Sequence, residues 1–258
     1  MIGLLGKKIG MTQTFKEDGQ QVPLTVIKVG PCPILDIRTK EKHGYTAVRL
    51  AFDPRKEKSF NRPQVGQFKK LHLPTMRFVR EIRTPDTTGL EIGGSLFVDN
   101  FEVGDYVDIQ GTSIGHGFQG VVKRLHYKGG YNAHGTKMGR EPGSIGAKAG
   151  GRGCRKKVLK GKGLPGHMGD ETVTIQNLQV AIIDKDNHLL AVKGTVPGKK
   201  GAYLVIKTAV KRGKTRKWKL ESTQEKEVSK KSPEGPSQEA PQDAPVEAAK
   251  SESQEKKS

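Results

Sequence analysis

The chain has 258 residues, with 46 Lys or Arg against 27 Asp or Glu, a formal charge of +19 and only 5% aromatic residues. Its 33 glycines amount to roughly 13% of the chain, against a usual value of about 7%, and they show no collagen-like G-X-Y period. No run of eighteen apolar residues exists, Ile2–Leu5 is too short for the apolar region of a signal peptide, and Cys32 and Cys154 belong to no CxxC pair. The expectation is a cytoplasmic protein without a membrane span, a disulfide framework or a cysteine-based zinc site.

In chain order, Val22–Val29, Tyr45–Phe52, Phe78–Ile82, Ser95–Phe101 and Tyr106–Ile109 are short β-branched runs that read as strands. Pro31 and Pro33 bracket Cys32 and end the first of them. Lys56–Arg77 mixes proline, glycine and aromatic residues and reads as loops around a short helix. The strand pattern nearly stops between Ile114 and Thr172, where only Phe118–Leu125 begins like a strand. It resumes with Thr172–Gln176, Leu178–Asp184, His188–Lys193 and Ala202–Ala209. Asp184-Lys185-Asp186-Asn187 supplies a hairpin turn, because Asp and Asn tolerate turn geometry. No amphipathic helix longer than about ten residues is evident. The body is therefore mainly β, a barrel or a sandwich.

Charge is unevenly distributed along the chain. Residues 221–258 carry nine acids and six lysines, lack aromatics and are rich in Ser, Glu, Pro, Ala and Gln. That composition predicts a disordered low-complexity tail. Gly115–Met168 is the opposite extreme, with 12 Lys or Arg, one acid (Glu141), 15 glycines and four histidines in 54 residues. Ordering so long a segment costs about 1–2 kcal/mol per residue in backbone entropy, and its scattered apolar residues cannot offset that cost. Self-repulsion adds to the cost. A polyanion removes the repulsion; nucleic acid is the first candidate and an anionic membrane surface the second. Irregular glycine-rich chain suits folded RNA better than the DNA major groove, which is usually read by a helix or ribbon.

Motifs for other chemistries fail on context. Gly115-His-Gly-Phe-Gln-Gly120 and Gly161-Lys-Gly-Leu-Pro-Gly166 match GxGxxG, but a dinucleotide site needs a strand before the glycines and a helix after them. Val121-Val122-Lys123-Arg124 looks β-like, and no helical run follows Gly166. Gly213-Lys214-Thr215 ends like a phosphate-binding loop, yet Thr208 stands where that loop needs glycine. His116, His126, His134 and His167 have no zinc spacing and read as RNA-contacting groups. Cys154 has basic neighbours that would lower a thiol pKa, but no oriented base accompanies it. The basic segment also lacks paired carboxylates for acid–base work. No enzyme activity, cofactor, metal or small-molecule substrate is expected.

Several motifs, in order along residues 1–210, resemble the bacterial form of the ribosomal protein L3 family of the large subunit. They are Gly6-Lys7-Lys8-Ile9-Gly10-Met11-Thr12, His134-Gly135, Pro142-Gly143-Ser144-Ile145-Gly146 and Val158-Leu159-Lys160-Gly161-Lys162. Gly166-His167-Met168-Gly169, Val173-Thr174-Ile175-Gln176-Asn177-Leu178 and Val192-Lys193-Gly194-Thr195-Val196-Pro197-Gly198 complete the set. The resemblance implies a six-stranded translation-protein-like β-barrel with a small inserted α+β part and a long irregular basic arm. It also implies direct binding to large-subunit rRNA of the 23S type near its 3′ end, a role early in subunit assembly, contacts with neighbouring large-subunit proteins, and an arm that reaches toward the peptidyl-transferase region. Some relatives carry a methylated Gln just after the Gly-Ser-Ile-Gly stretch; Ala147 stands there in this chain, so that modification is not expected. The tail beyond Lys219 lies outside the family pattern.

The expected organisation is a barrel body over 1–220, interrupted by an arm at 115–168, with a tail at 221–258. Lys7 and Lys8 at the start, and Lys123, Arg124, Lys137, Arg140, Lys148, Arg152, Arg155, Lys156, Lys157, Lys160 and Lys162 in the arm, are the expected phosphate partners. Six of these cations fall within the eleven residues Arg152–Lys162. His134 and His167 are expected to stack or donate. Gly143, Ser144, Ile145, Gly146 and Ala147, compact and uncharged, are expected to form the arm tip. The competing classes are a free-standing RNA chaperone and an RNA-modifying enzyme.

Overall fold

Six antiparallel strands close a barrel in the computed structural model, which describes residues 3–85, 87–146 and 158–212. These residues fall within one compact unit, Met1–Ser222; the second unit, Thr223–Ser258, lies outside the described residues, and with it almost all of the expected tail.

The chain opens with β1 (Gly3–Phe15) and β2 (Gln21–Val29), a long hairpin. An inserted part follows, with β3 (Cys32–Arg38), a four-residue helix α1 (Lys40–His43) and β4 (Ala47–Pro54). Then come α2 (Arg62–Lys69), β5 (Met76–Arg83) and β6 (Ser95–Leu96). Strand β7 (Tyr106–Thr112) returns to the barrel, and β8 (Gly117–Gln119), α3 (Val121–Leu125) and β9 (Gly166–Met168) lie in the basic segment. Three barrel strands complete the described chain: β10 (Thr172–Asp184), β11 (Leu189–Lys193) and β12 (Tyr203–Thr208). The barrel runs β1-β12-β7-β10-β11-β2 and closes on β1, while β5-β4-β3-β6 form a separate four-stranded sheet. The expected mainly β architecture, a six-stranded barrel with a small inserted α+β part, is what the chain adopts.

One apolar core runs through both layers. Leu4, Leu5, Ile27, Val107, Ile109, Val180, Leu190 and Ile206 belong to the same buried cluster as Ile34, Val48, Leu50 and Ile82 of the inserted sheet. Strand β1 is buried on both faces at Gly3–Gly6. A Cβ on Gly3 would come within 2.8 Å of Ile82 Cδ1, so glycine there lets the inserted sheet close onto the barrel. The polar seam of this junction is Asp53, which accepts from Tyr203 Oη and lies 3.6 Å from Lys7 Nζ. Tyr203 stacks on Phe78 of β5 with ring centroids 4.9 Å apart.

Departures from the sequence reading have local causes. Strand β1 shows no apolar alternation because its first residues are buried on both faces, whereas Met11 and Phe15 further along are exposed. Strand β3 begins at Cys32 in spite of Pro33, since a proline near a strand start removes little from a ladder. Ser95–Phe101 is a two-residue strand followed by a 3-10 turn at Val98–Asn100. The β-like Val121–Leu125 is helical; Val121 is buried, and tertiary burial overrides β-branched propensity over so short a run. A helix does therefore follow the first GxGxxG and β7 ends shortly ahead of it, but Gly117–Gln119 within the motif is itself a strand and the helix has only 5 residues, so no tight glycine turn joins β7 to a helix N-terminus. The two runs at 172–184 are one strand with an irregularity between Ile175 and Leu178.

That irregularity is held by a buried carboxylate. Asn177 takes φ +58°, and its N–H donates to Asp108 Oδ1 at 2.9 Å. Asp108 Oδ2 accepts the Val210 N–H at 3.1 Å, so one side chain of β7 ties β10 to the chain leaving β12. Replacing Asp108 with Ala leaves two N–H groups without this acceptor. Hydrogen bonds to charged groups contribute about 1.5–3 kcal/mol each, so we expect a loss of about 3–6 kcal/mol in urea unfolding. Asp108→Asn keeps one acceptor and should fall between; equal stability of all three proteins would contradict this role.

Candidate nucleic-acid interface

The basic segment leaves the barrel from β7 and re-enters it at β10, and these strands are already paired, Thr112 opposite Thr172. Both ends of the segment are thus fixed side by side. Pairing continues beyond the barrel wall. Ser113 N–H donates to Glu171 O at 2.8 Å and His116 N–H to Met168 O at 2.8 Å. Then β8 pairs with β9, from Gly117 opposite Met168 to Gln119 opposite Gly166. The result is a two-chain stalk where the sequence shows hardly any strand pattern.

Glycine permits the stalk its tightest approach. Gly169 has φ +76°, and a Cβ there would sit 2.1 Å from Ile114 O. Above it, α3 packs on β9 and carries Arg124 back across the stalk. Arg124 Nη1 donates to Leu164 O at 2.7 Å and Nε to His167 O at 3.1 Å. The guanidinium lies against Gly166, where a Cβ would come within 3.2 Å of its Cζ. Tyr127 Oη donates to Gly163 O at 3.3 Å, and farther out Gly130 N–H donates to Gly139 O at 3.0 Å. Gly143, at φ +72°, precedes a small turn in which Ser144 Oγ donates to Gly146 O at 3.0 Å, and Ile145 is exposed.

The expected phosphate partners separate into two groups. Lys8 and Arg124 donate to the protein's own carbonyls. Lys8 Nζ reaches Val196 O at 2.7 Å and Gly198 O at 3.0 Å, and partial burial holds its pKa below the usual lysine value. Lys123, Lys137, Arg140, Lys160 and Lys162 are exposed, as are His134 and His167. None of these five cations forms an ion pair among the described residues. Lys7 is half-exposed beside Asp53. Ala147, Lys148, Arg152, Arg155, Lys156 and Lys157 lie outside the described residues. A cleft of about 640 Å³ at the stalk base brings Lys8, Arg124 and His167 together with His116, Met11 and Glu171.

Sequence reasoning missed the side chains with no charge to mark them. Phe118 and Tyr131 are 76% and 87% exposed, so packing does not explain them, and their rings are free to meet a flat partner. Among the described residues no group of three or more His, Cys, Asp or Glu side chains is placed to hold a metal ion.

The sequence profile described as Ribosomal protein L3 matches residues 90–188, which include the whole stalk and arm. The chain is 47% identical over 209 residues to the large ribosomal subunit protein uL3 of Pelotomaculum thermopropionicum, covering 81% of this chain and 97% of that protein. The protein of the same name from Brachyspira hyodysenteriae is 42% identical over 217 residues, covering 84% of this chain and 98% of its own length. The chain belongs to the ribosomal protein L3 family. That is a family of structural proteins rather than enzymes, and both GxGxxG matches in this chain are stalk and turn glycines.

The stalk geometry separates two glycines that both have positive φ. Gly169→Ala meets a backbone oxygen, whereas Gly135, at φ +70°, has nothing within 4 Å of an added Cβ. Gly135→Ala should cost about 1 kcal/mol of backbone strain. Gly169→Ala should in addition open the stalk and speed tryptic cleavage after Arg124 severalfold more. Equal cleavage rates in limited proteolysis of the two variants would contradict the stalk.

Proposed function

We propose that the chain is a structural constituent of the large ribosomal subunit that binds large-subunit rRNA directly, near its 3′ end. It helps nucleate early assembly in the cytoplasm, contacts neighbouring subunit proteins and sends the arm toward the peptidyl-transferase region. The observation that carries this reading is a segment with twelve cations and one acid whose two ends are held together by the barrel. A barrel with this stalk can present positive charge at a distance from its own core; nucleic acid neutralises such charge densely, and folded RNA suits an irregular glycine-rich arm.

On this reading the cations divide the labour. Lys8 and Arg124 shape the stalk base and keep one and three N–H donors, respectively, for RNA. Lys123, Lys137, Arg140, Lys160 and Lys162, with Lys148, Arg152, Arg155, Lys156 and Lys157, neutralise phosphates. His134, His167, Phe118 and Tyr131 stack on unpaired bases, where a ring contributes about 1–3 kcal/mol. Gly143–Ala147 form the tip, which fits by shape rather than by charge.

Salt dependence tests this reading. If roughly six to ten phosphates are neutralised, log K against log salt has a slope of about −4 to −9. Replacing Lys137, Arg140, Lys160 and Lys162 together by Ala should flatten that slope by about three, with circular dichroism unchanged. An unchanged slope would remove the arm from the binding mechanism. Stoichiometric co-sedimentation with the large subunit separates a constituent from a free-standing RNA chaperone.

A further inference from the structure

Strand β5 is an edge strand of the inserted sheet, and among the described residues its second edge pairs with no other strand. It carries Arg77, Arg80 and Arg83, and each guanidinium sits over an aromatic ring. Arg77 lies 5.5 Å from the centroid of Tyr203, Arg80 5.0 Å from Phe78 and Arg83 5.3 Å from Tyr45. Such contacts occur about once per 70–80 residues in proteins, so three on one eight-residue strand is a concentration that chance does not supply. Among the described residues none of the three arginines pairs with a carboxylate. The one acid of the strand, Glu81, is occupied by Tyr45 Oη at 2.9 Å and by Arg38 at 3.5 Å.

We infer that the β5 edge is a second phosphate-binding track for RNA, on the inserted sheet and separate from the arm. The inference rests on the RNA-binding function proposed above and extends it to a surface outside the arm. A ring beneath a guanidinium fixes its plane and pre-orients the fork for phosphate; Arg80 Nη1 donates to Val79 O at 3.1 Å, and its remaining N–H groups are left for a ligand. Side chains alternate across a strand, so Arg80 stands on the face of Phe78 and Arg77 and Arg83 on the other; the three forks flank the free edge at steps of about 10 Å, and a phosphate backbone meets all three by running along that edge. A cleft of about 510 Å³ continues from Phe78, Arg80 and Tyr203 past Lys199 to Ser113 at the stalk base, with Asp170 as its acid. An RNA strand lying on β5 is therefore led toward the arm. An acidic protein surface would meet the same charges, but the exposed forks and the route to the stalk favour RNA.

The test uses the full chain and a transcript of the 3′ third of large-subunit rRNA. Arg77, Arg80 and Arg83 are changed together to Gln, and separately to Lys, with melting temperature and circular dichroism as fold controls. The Gln variant should flatten the salt slope by about two, and the Lys variant should restore the slope while binding more weakly, because charge returns without the fork. The single variant Arg80→Gln, flattening the slope by slightly under one, serves if the triple variant unfolds. Wild-type binding with an unchanged slope in the Gln variants overturns this inference and leaves RNA binding by the arm intact. If those variants also fail to enter reconstituted subunits, the surface belongs to a protein neighbour. Failure of the wild-type chain to bind the transcript overturns the proposed function itself.

Discussion

Everything outside the barrel wall depends on the pairing of β7 with β10 and its continuation through Ser113–Glu171, His116–Met168 and the β8–β9 ladder. A glycine-rich segment of more than fifty residues has a large closure and ordering entropy. Anchoring both ends on adjacent strands removes the closure part before any partner binds. Gly169 makes the approach possible, and Arg124 closes it from above by donating to two carbonyls of the opposite chain. The barrel in turn is held in register at this point by Asp108, whose carboxylate supports the irregular stretch of β10 a few residues from the stalk.

Electrostatics explains why the stalk is short and the cations lie beyond it. Like charges brought together without counter-charges oppose compactness, and the five ion pairs among the described residues all lie outside the arm. The protein answers with two devices. Near the barrel, Lys8 and Arg124 are satisfied by backbone carbonyls, which stabilise a cation without cancelling its charge. The exposed Lys123, Lys137, Arg140, Lys160 and Lys162 stay in water, where screening keeps their repulsion small. The arginines of β5 follow a third course, resting on rings that hold their geometry but leave their charge exposed.

Much of this architecture is legible in the sequence, and the failures are instructive. Strands β2, β4, β5, β7, β11 and β12 announce themselves by short β-branched and aromatic runs, alternating in β2 and buried on both faces at the centre of β4, β11 and β12. Strand β1 does not, since Gly3, Gly6 and Gly10 and the polar residues between them interrupt its apolar run. In β10 the polar Asn177 looks like a break, and only the buried Asp108 shows how a single strand passes through it. The arm is legible as a charge anomaly, with twelve cations against one acid in Gly115–Met168. Its stalk is not, because close glycine packing carries no hydrophobic signature. Composition likewise cannot tell a cation that meets RNA from one, such as Lys8 or Arg124, that first satisfies its own backbone.

The central claim is that the stalk is built by the protein itself, before any partner binds. Amide hydrogen exchange on the RNA-free, full-length chain tests it most directly, read at Ser113, His116, Arg124 and Gly130, whose N–H groups donate to Glu171, Met168, Gly120 and Gly139. The account predicts that these four are protected, less than the barrel strands but well above a solvated chain. Exchange at the unstructured rate at Ser113 and His116, beside a fully protected barrel, would contradict it.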